Sequence, residues 1–335
     1  MRSSAEAGLV PPGCFLAAYS EQELAEVLRA AGWELRSVHA EDAGAWLQAV
    51  ASSPAVARVS PCVRRLLGYH ERSSLGPGGG ARGGAMDWSQ QPDKFLRFPG
   101  TRMVDLDPDA GGWVARVLRY AFGLSAWKGA GASRWSVRTN PSSGALQPLE
   151  FYVLGDERAI EEYSGPPALL HYHSYWHSLE VLHELPPELW AHCSRQLPAG
   201  SVLLAVSAFY WRNAWKYGEP GFRYVQQDVG HAIGSLGFAA LSEGSCCALL
   251  EGVADAALAA LLGLRDERPA AQQPQALLAL APSGAGGIDA RNFRLPRQLC
   301  SAMAFSNPGA CEGPLPAACC EGHRASWKTA APEPG

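Results

Sequence analysis

The chain has 335 residues, of which 47% are hydrophobic, and a formal net charge of −4 at pH 7. This length allows one large domain or two ordinary ones with a buried core. The absence of a basic stripe argues against nucleic acid as a partner. The longest apolar runs, such as Val202–Tyr210, are much shorter than the ~18 residues that a membrane span needs. The start has no apolar core of signal-peptide length, so we expect a soluble, cytoplasmic protein without a membrane partner.

Residues 1–60 are predicted to form a short α/β segment. Ser20 and Glu23 form an S-x-x-E capping box, and the apolar residues that follow lie on one helix face. Trp33–His39 has the composition of a strand. The stretch FLAAYSEQELAEVLRAAGWELRSV resembles the closing segment of a class I methyltransferase. Because no cofactor motif precedes it, we interpret it as a fusion remnant and not as an activity.

Residues 73–85 are rich in glycine and are predicted to form a loop. Glycine loops can bind phosphate when they lead from a strand into a helix N-terminus. No clear helix follows Ala85, and the pattern G-x-x-x-x-G-K-[ST] is missing. We therefore do not assign a phosphate site here.

The region from residue 113 to residue 264 has regular periodicity. Its pattern predicts a helix from Val114 to Gly123, buried strands at Leu149–Leu154 and Ser201–Phe209, a long helix through Val229–Ala240, a strand at Cys246–Val253 and a helix at Ala254–Leu262. Glycines within the long helix indicate close packing against a backbone or a ring. Residues 266–335 have little periodicity, and we predict a low-complexity, disordered tail.

The nine cysteines are odd in number and include no C-x-x-C pair. Neither a zinc site nor a secreted disulfide framework has this pattern. We expect buried or inert thiols.

The segment from Arg134 to Gly144 is the first that could carry chemistry. Two arginines, Arg134 and Arg138, precede the turn Asn140-Pro-Ser-Ser-Gly144. Pro141 fixes its own φ, and Gly144 permits a close backbone approach to a ligand. Hydroxyls and N–H groups of such a turn can bind a flat heteroaromatic ring or a phosphate. Taken alone, the residues slightly favour an ordinary loop before a strand over a ligand-binding turn.

The segment Tyr210–Gly237 interleaves cations with aromatic residues, a pattern that suits an anionic, planar ligand. Arg212 and Lys216 are the cations of its first part. We expect Asp228 near the start of a helix, where it could be nothing more than a helix cap. His231 would lie one turn further into the same helix.

Histidines cluster between His171 and His177. His173 and His177 are spaced i, i+4, which would place two metal ligands on one helix face. No H-E-x-x-H pattern and no obvious third ligand accompany them, so we expect no metal site. We instead assign His173, Tyr175 and His177 to the substrate side. The sequence also has no G-x-S-x-G and no Rossmann G-x-G-x-x-G pattern.

Three ordered segments resemble the nitroreductase family. NPSSGALQPLEFYVL is similar to its PS-x-G-x-x-P-x-E-x-Y segment, and LLHYHSYWHSLEVL resembles a segment of the branch that includes SagB-type azoline-forming peptide dehydrogenases. RNAWKYGEPGFRYVQQDVGHAIGSLGFAAL is similar to the helix entry of that branch. The match covers roughly residues 65–265, and we assign residues 61–265 to a nitroreductase-like flavin domain.

The resemblance implies an α+β fold with a mixed sheet flanked by helices, a homodimer, and FMN at the dimer interface. It implies two-electron transfer between a nicotinamide cofactor, NAD(P)H, and a small-molecule substrate such as a nitroaromatic, a quinone or an azoline. Carried over by position, the residues near the cofactor are Arg134, Ser136, Arg138, Pro141, Ser142, Ser143, Gly144, Arg212, Lys216, Asp228, Gly230 and His231.

The sequence departs from the family pattern at several places. Tyr69–Ser73 stands where the family has an arginine-rich opening, and Pro220 stands where it commonly has arginine. No clear arginine-bearing strand follows Leu264. These departures keep open the alternative of a non-catalytic or degenerate flavin-fold scaffold.

Overall fold

A computed structural model describes residues 34–40, 47–52, 61–73, 86–264 and 271–301, together with residues 303 and 307. The chain forms two compact units, residues 1–64 and residues 65–335. In the first unit, β1 (Glu34–Ala40) and β2 (Leu47–Ser52) form an antiparallel hairpin. The predicted strand at Trp33–His39 corresponds to β1. The predicted helix before it, most of the methyltransferase-like stretch and residues 74–85 of the glycine-rich loop lie outside the described residues.

The second unit combines helices with strands. Its boundary with the first unit falls within α1 (Pro61–Ser73). The later helices are α2 (Trp113–Phe122), α3 (Pro187–Ser194), α4 (Tyr210–Tyr217), α5 (Gly221–Ser242), α6 (Asp255–Leu261) and α7 (Arg297–Ser301). The strands are β3 (Arg102–Asp105), β4 (Leu124–Ala130), β5 (Ser133–Arg138), β6 (Leu149–Gly155), β7 (Ala168–His173), β8 (Ser178–Glu184), β9 (Val202–Ala208), β10 (Cys246–Leu249) and β11 (Gln273–Ala281).

Seven strands form the central sheet in the order β10-β11-β9-β6-β7-β8-β3. Every described pairing is antiparallel, whereas the resemblance implied a mixed sheet. Strands β4 and β5 form a separate hairpin. All residues of β6 and β9 are buried, as expected for their nearly continuous apolar sequences.

Side chains of β6 alternate between two cores because successive residues of a strand point to opposite faces. Phe151 and Val153 join one core, which includes residues of α2 and α5. The Phe122 and Phe151 rings stack there with centroids 3.6 Å apart. Tyr152 and Leu154 join the other core, which includes residues of α3, α6 and α7. The helices and strands predicted between residues 113 and 264 are thus confirmed: the strands lie in one sheet, and the helices pack on its two faces.

The prediction of a disordered tail over residues 266–335 is wrong for residues 297–301, which form α7, and for residues 273–281. This segment is β11, which lies between β9 and β10 near one end of the central sheet. Its sequence QPQALLALA lacks the β-branched residues that favour strands. Pairing on both sides and burial on both faces override that weak local preference. Residues 265–270, 302, 304–306 and 308–335 lie outside the described residues.

The long helix α5 leaves its glycines without close neighbours. A methyl group added at Gly230, Gly234 or Gly237 would meet no atom within 4 Å. Phe238 and Leu241 on the same helix are 77% and 71% exposed. The predicted close packing at these glycines is therefore not made within the described chain. No helix in the described ranges has both the length and the apolar composition of a membrane span.

Candidate active site

The predicted turn after β5 has unusual backbone geometry. Gly144, Ala145 and Gln147 have φ angles of 63°, 53° and 53°, which are left-handed values. Only glycine adopts such values without strain, and strained backbone persists where surrounding contacts enforce it. We name residues Ser142–Gln147 the cofactor turn, because the sequence predicts ligand contact for its first three residues, Ser142–Gly144, and the unusual backbone continues to Gln147.

Asp228 fastens the cofactor turn to α5. Its carboxylate accepts hydrogen bonds from Ser142 Oγ at 2.9 Å, from the Ser143 backbone N–H at 2.9 Å and from Ser143 Oγ at 3.1 Å. Burial raises the pKa of Asp228, and these hydrogen bonds partly offset that effect. Asp228 is not a helix cap, because α5 begins seven residues earlier at Gly221. Its role is to hold the turn.

Lys216 and Tyr217 of α4 press against the cofactor turn. A Cβ added at Gly144 would overlap the Tyr217 hydroxyl and lie 2.9 Å from Lys216 Nζ. Burial raises the pKa of Tyr217, with further contributions from Tyr224 and Asp228. Gly144 therefore permits the close approach that the sequence predicted, and the approaching groups are a cation and a phenol.

Three cations converge beside the turn. Arg138 is buried, and its guanidinium donates to the carbonyls of Leu149 at 3.1 Å and Lys94 at 2.8 Å. Burial lowers the pKa of Arg138 to about 10, with Glu150 opposing and Arg212 adding to this effect. The pKa of Lys94 is lowered by burial and then by the positive charges of Arg138 and Lys216. This positive charge suits an anionic ligand.

A buried ionic network lies behind the cofactor turn. Arg212 Nη1 is 2.6 Å from Glu150 Oε1 and donates to the Gln147 carbonyl at 2.7 Å. The two ring nitrogens of His171 contact Glu150 Oε2 at 3.1 Å and Glu180 Oε2 at 2.7 Å. All four side chains are nearly inaccessible to solvent. The network therefore connects the central sheet to the backbone of the turn.

The charges of this network support one another. Burial alone would raise the pKa of Glu150, but Arg212 and His171 outweigh it and bring the pKa to about 2. Burial would lower the pKa of His171, but hydrogen bonds to Glu150 and Glu180 raise it above its usual value. Both ring nitrogens face carboxylates, so the doubly protonated imidazolium satisfies both contacts.

The three predicted substrate-side residues lie at one β-turn and not on a helix. His173 ends β7, Tyr175 is exposed in the turn, and His177 has a φ of 52° just before β8. The i, i+4 spacing of His173 and His177 does not place them on one helix face, because the segment forms a hairpin. Burial lowers the pKa of each histidine to about 4.

The other predicted residues differ in where they lie relative to the cofactor turn. Arg134 is exposed in β5 with its guanidinium carbon 4.5 Å from the centre of the Trp127 ring, and Ser136 is buried in the same strand. Pro141 is exposed beside the turn, while Gly230 and His231 are exposed on α5. Arg212 reaches the turn through its hydrogen bond to the Gln147 carbonyl, but it does so from the buried network and not from a solvent-facing side.

Several buried polar atoms near the turn have no hydrogen-bond partner among the described residues. They are Asn140 Oδ1, Gln147 Nε2, Gln147 Oε1, Arg138 Nε and Arg212 Nε. Buried polar groups are normally bonded, so unsatisfied ones require an explanation. A flat heterocycle with alternating donors and acceptors fits these groups and the adjacent cations. In the described part of the chain, no group of three or more His, Cys, Asp or Glu side chains could hold a metal ion.

Sequence reasoning did not assign Lys94, Gln147, Glu150, His171, Glu180 or Tyr217 to the site. One signal for Glu150 was available, because a carboxylate within the apolar strand LEFYVLG must find a buried partner. Gln147 and Glu150 also belong to the quoted family segment. Nothing in the local sequence brings Lys94 to Arg138, since 44 residues separate them.

Comparison with known proteins finds similarity to one family. Residues 115–280 match the model of the nitroreductase family. A candidate nitroreductase of Methanocaldococcus jannaschii is 32% identical over 138 residues, which are 39% of this chain and 63% of that protein. Over residues 115–280 the chain is similar to the nitroreductase family, and this similarity fits an oxidoreductase.

One solved structure supports the fold. The crystal structure of a candidate nitroreductase from Anabaena variabilis is similar with a TM-score of 0.53 and 24% identity, over 73% of this chain and 56% of that one. A chain of the Escherichia coli microcin synthetase McbBCD complex has a TM-score of 0.41 and 18% identity, over 68% of this chain and 84% of that one. We draw no argument from the second likeness. The chain thus spans less than two thirds of the first relative in each comparison.

Proposed function

We propose that the protein is an FMN-dependent oxidoreductase that transfers two electrons between NAD(P)H and an organic substrate. The observation that carries this proposal is the cofactor turn, whose left-handed backbone is clamped by Asp228 and faces Lys216 and Tyr217. The unsatisfied amide of Gln147 supports a ligand at this turn. When bound, FMN supplies the hydride chemistry, and the protein supplies orientation and charge.

Different residues of the chain would supply the charge and the positioning. Arg138, with a pKa of about 10, remains positively charged at neutral pH and favours negative charge beside it. Lys216 adds a second cation from α4. Ser142 and Ser143 donate their hydroxyls to Asp228, and these hydrogen bonds fix the turn against α5.

The exposed side of α5 supports a homodimer within this proposal. Phe238 and Leu241 are largely exposed, and the three glycines near them leave open space for another backbone. A two-fold contact through this face would cover both the apolar residues and the glycines. Motif similarity favours the branch with azoline-forming peptide dehydrogenases, and we propose a cytoplasmic location.

Anaerobic reduction of the flavin-loaded protein tests the proposal. Added NADH or NADPH is expected to bleach the flavin absorption, and Lys216→Gln is expected to slow this bleaching. Lys128→Gln is the matched control, because Lys128 is exposed in β4. A protein that binds FMN but is reduced by neither nucleotide would support the alternative of a non-catalytic scaffold.

A further inference from the structure

An exposed group of aromatic side chains lies beside the candidate site. Trp127 of β4 is 44% exposed, and Tyr175 and Trp176 of the β7–β8 turn are 47% and 40% exposed. The Tyr175 ring lies 6.1 Å from each of the two tryptophan rings, measured between centroids. We name these three residues the aromatic platform. Large aromatic side chains concentrated at the surface commonly mark a binding site.

Two arginines extend over the aromatic platform. The guanidinium carbon of Arg97 is 4.4 Å from the centre of the Trp176 ring, and that of Arg134 is 4.5 Å from the Trp127 ring. Among the described residues, no carboxylate lies within ion-pair distance of either guanidinium. A guanidinium stacked on a ring keeps N–H groups available at its edge, where a carboxylate can accept two hydrogen bonds.

The platform is continuous with the cations of the candidate site. The Phe95 ring lies 5.4 Å from the Tyr175 ring and 6.0 Å from the His173 ring. The guanidinium carbon of Arg138 lies 5.5 Å from the same Phe95 ring. A ligand on the platform would therefore lie near Arg138 of the candidate site and not on a remote surface.

We propose that the aromatic platform binds the substrate and selects flat aromatic molecules that carry an anionic group such as a carboxylate. The ring of the ligand packs against Trp127, Tyr175 and Trp176, and its anionic group pairs with Arg97 or Arg134. This inference deepens the proposed function by naming its substrate class, while the binding itself requires no turnover. A two-fold contact centred on the platform would bring its unpaired arginines together, which disfavours a second copy of the chain as the occupant.

Calorimetric titration of the oxidised protein with 4-nitrobenzoate and with neutral 4-nitrobenzamide tests this proposal. We expect the anion to bind roughly tenfold more tightly or better, as a charge-assisted hydrogen bond implies. The double variant Arg97→Gln, Arg134→Gln is expected to lose this preference, and Trp176→Ala to weaken both ligands. Arg158→Gln is the matched control, because Arg158 is an exposed arginine in the β6–β7 connection.

Three results would overturn the proposal: equal affinity for the two ligands, no binding of either, or an unchanged preference in the double variant. Sedimentation of Trp176→Ala gives a fourth such result. If this variant loses the dimer but keeps its affinity for the ligands, the platform is a contact with a second copy of the chain and not a substrate site. Flavin content is measured in every sample. A protein that prefers the anion but binds no flavin would refute the proposed function and leave this inference standing.

Discussion

Replacement of Glu150 by glutamine tests the buried network behind the cofactor turn. Glu150 receives Arg212 on one carboxylate oxygen and His171 on the other. A glutamine of equal size would place an NH₂ donor against one of these cationic donors. Arg212 would lose its counter-charge while remaining 3% exposed.

The pKa shift of Glu150 and the usual cost of breaking a buried ion pair both give the expected loss of stability. The pKa of Glu150 falls from 4.5 to about 2 on folding, and each unit corresponds to about 1.4 kcal/mol, so the carboxylate contributes on the order of 3 kcal/mol. Removal of one partner from a buried ion pair typically costs about 3–5 kcal/mol. Because the folded pKa is lowered, this stabilisation is present above pH 4.5 and is lost as the pH falls toward 2.

Urea unfolding at neutral pH and at about pH 3 measures this effect. We expect Glu150→Gln to lower the free energy of unfolding by about 3–5 kcal/mol at pH 7, and by less than half of that in acid. Glu157→Gln, an exposed change in the turn after the same strand, is the control and should stay within about 0.5 kcal/mol of wild type. Equal stability of Glu150→Gln and wild type at neutral pH would refute the reasoning.

Two further predictions concern the turn and the histidines. Gly144→Ala is expected to weaken FMN binding at least tenfold in a fluorescence titration, because the added Cβ would overlap Tyr217. Gly131→Ala is the control and should bind FMN normally, because Gly131 also has a positive φ, 56°, but has open space around it. Equal losses of FMN affinity in both variants would reject the steric explanation. His173 has a folded pKa of about 4 against 6.5 normally, so the unfolded chain takes up its proton first and stability falls as the pH drops from 6.5 to 4. His173→Gln should therefore flatten the decline of the melting temperature over this pH range, and an unchanged slope would contradict the pKa.

The sequence predicts most of the fold because the central elements have strong periodicity or continuous apolar runs. Leu149–Leu154 and Ser201–Phe209 became buried strands, as their composition indicates. Residues 273–281 were missed because alanine and leucine do not favour a strand locally, and only pairing with β9 and β10 makes them one. Tertiary pairing of this kind leaves no local pattern.

The candidate site was predictable in part. The turn itself was found, since proline, serine and glycine in that order restrict the backbone and supply donors. The buried ionic network that supports the turn was not found, because Glu150, His171 and Glu180 come from three strands and meet only when β6, β7 and β8 pair. The hairpin geometry of His173 and His177 was also missed, since i, i+4 spacing occurs by chance in a turn.

Titration of the flavin-free protein with FMN, followed by quenching of flavin fluorescence, tests the central claim most directly. The account predicts saturable binding with about one FMN per chain and a yellow complex, and it predicts loss of that binding in Gly144→Ala but not in Gly131→Ala. A folded wild-type protein that remains colourless and leaves the flavin fluorescence unchanged would contradict it.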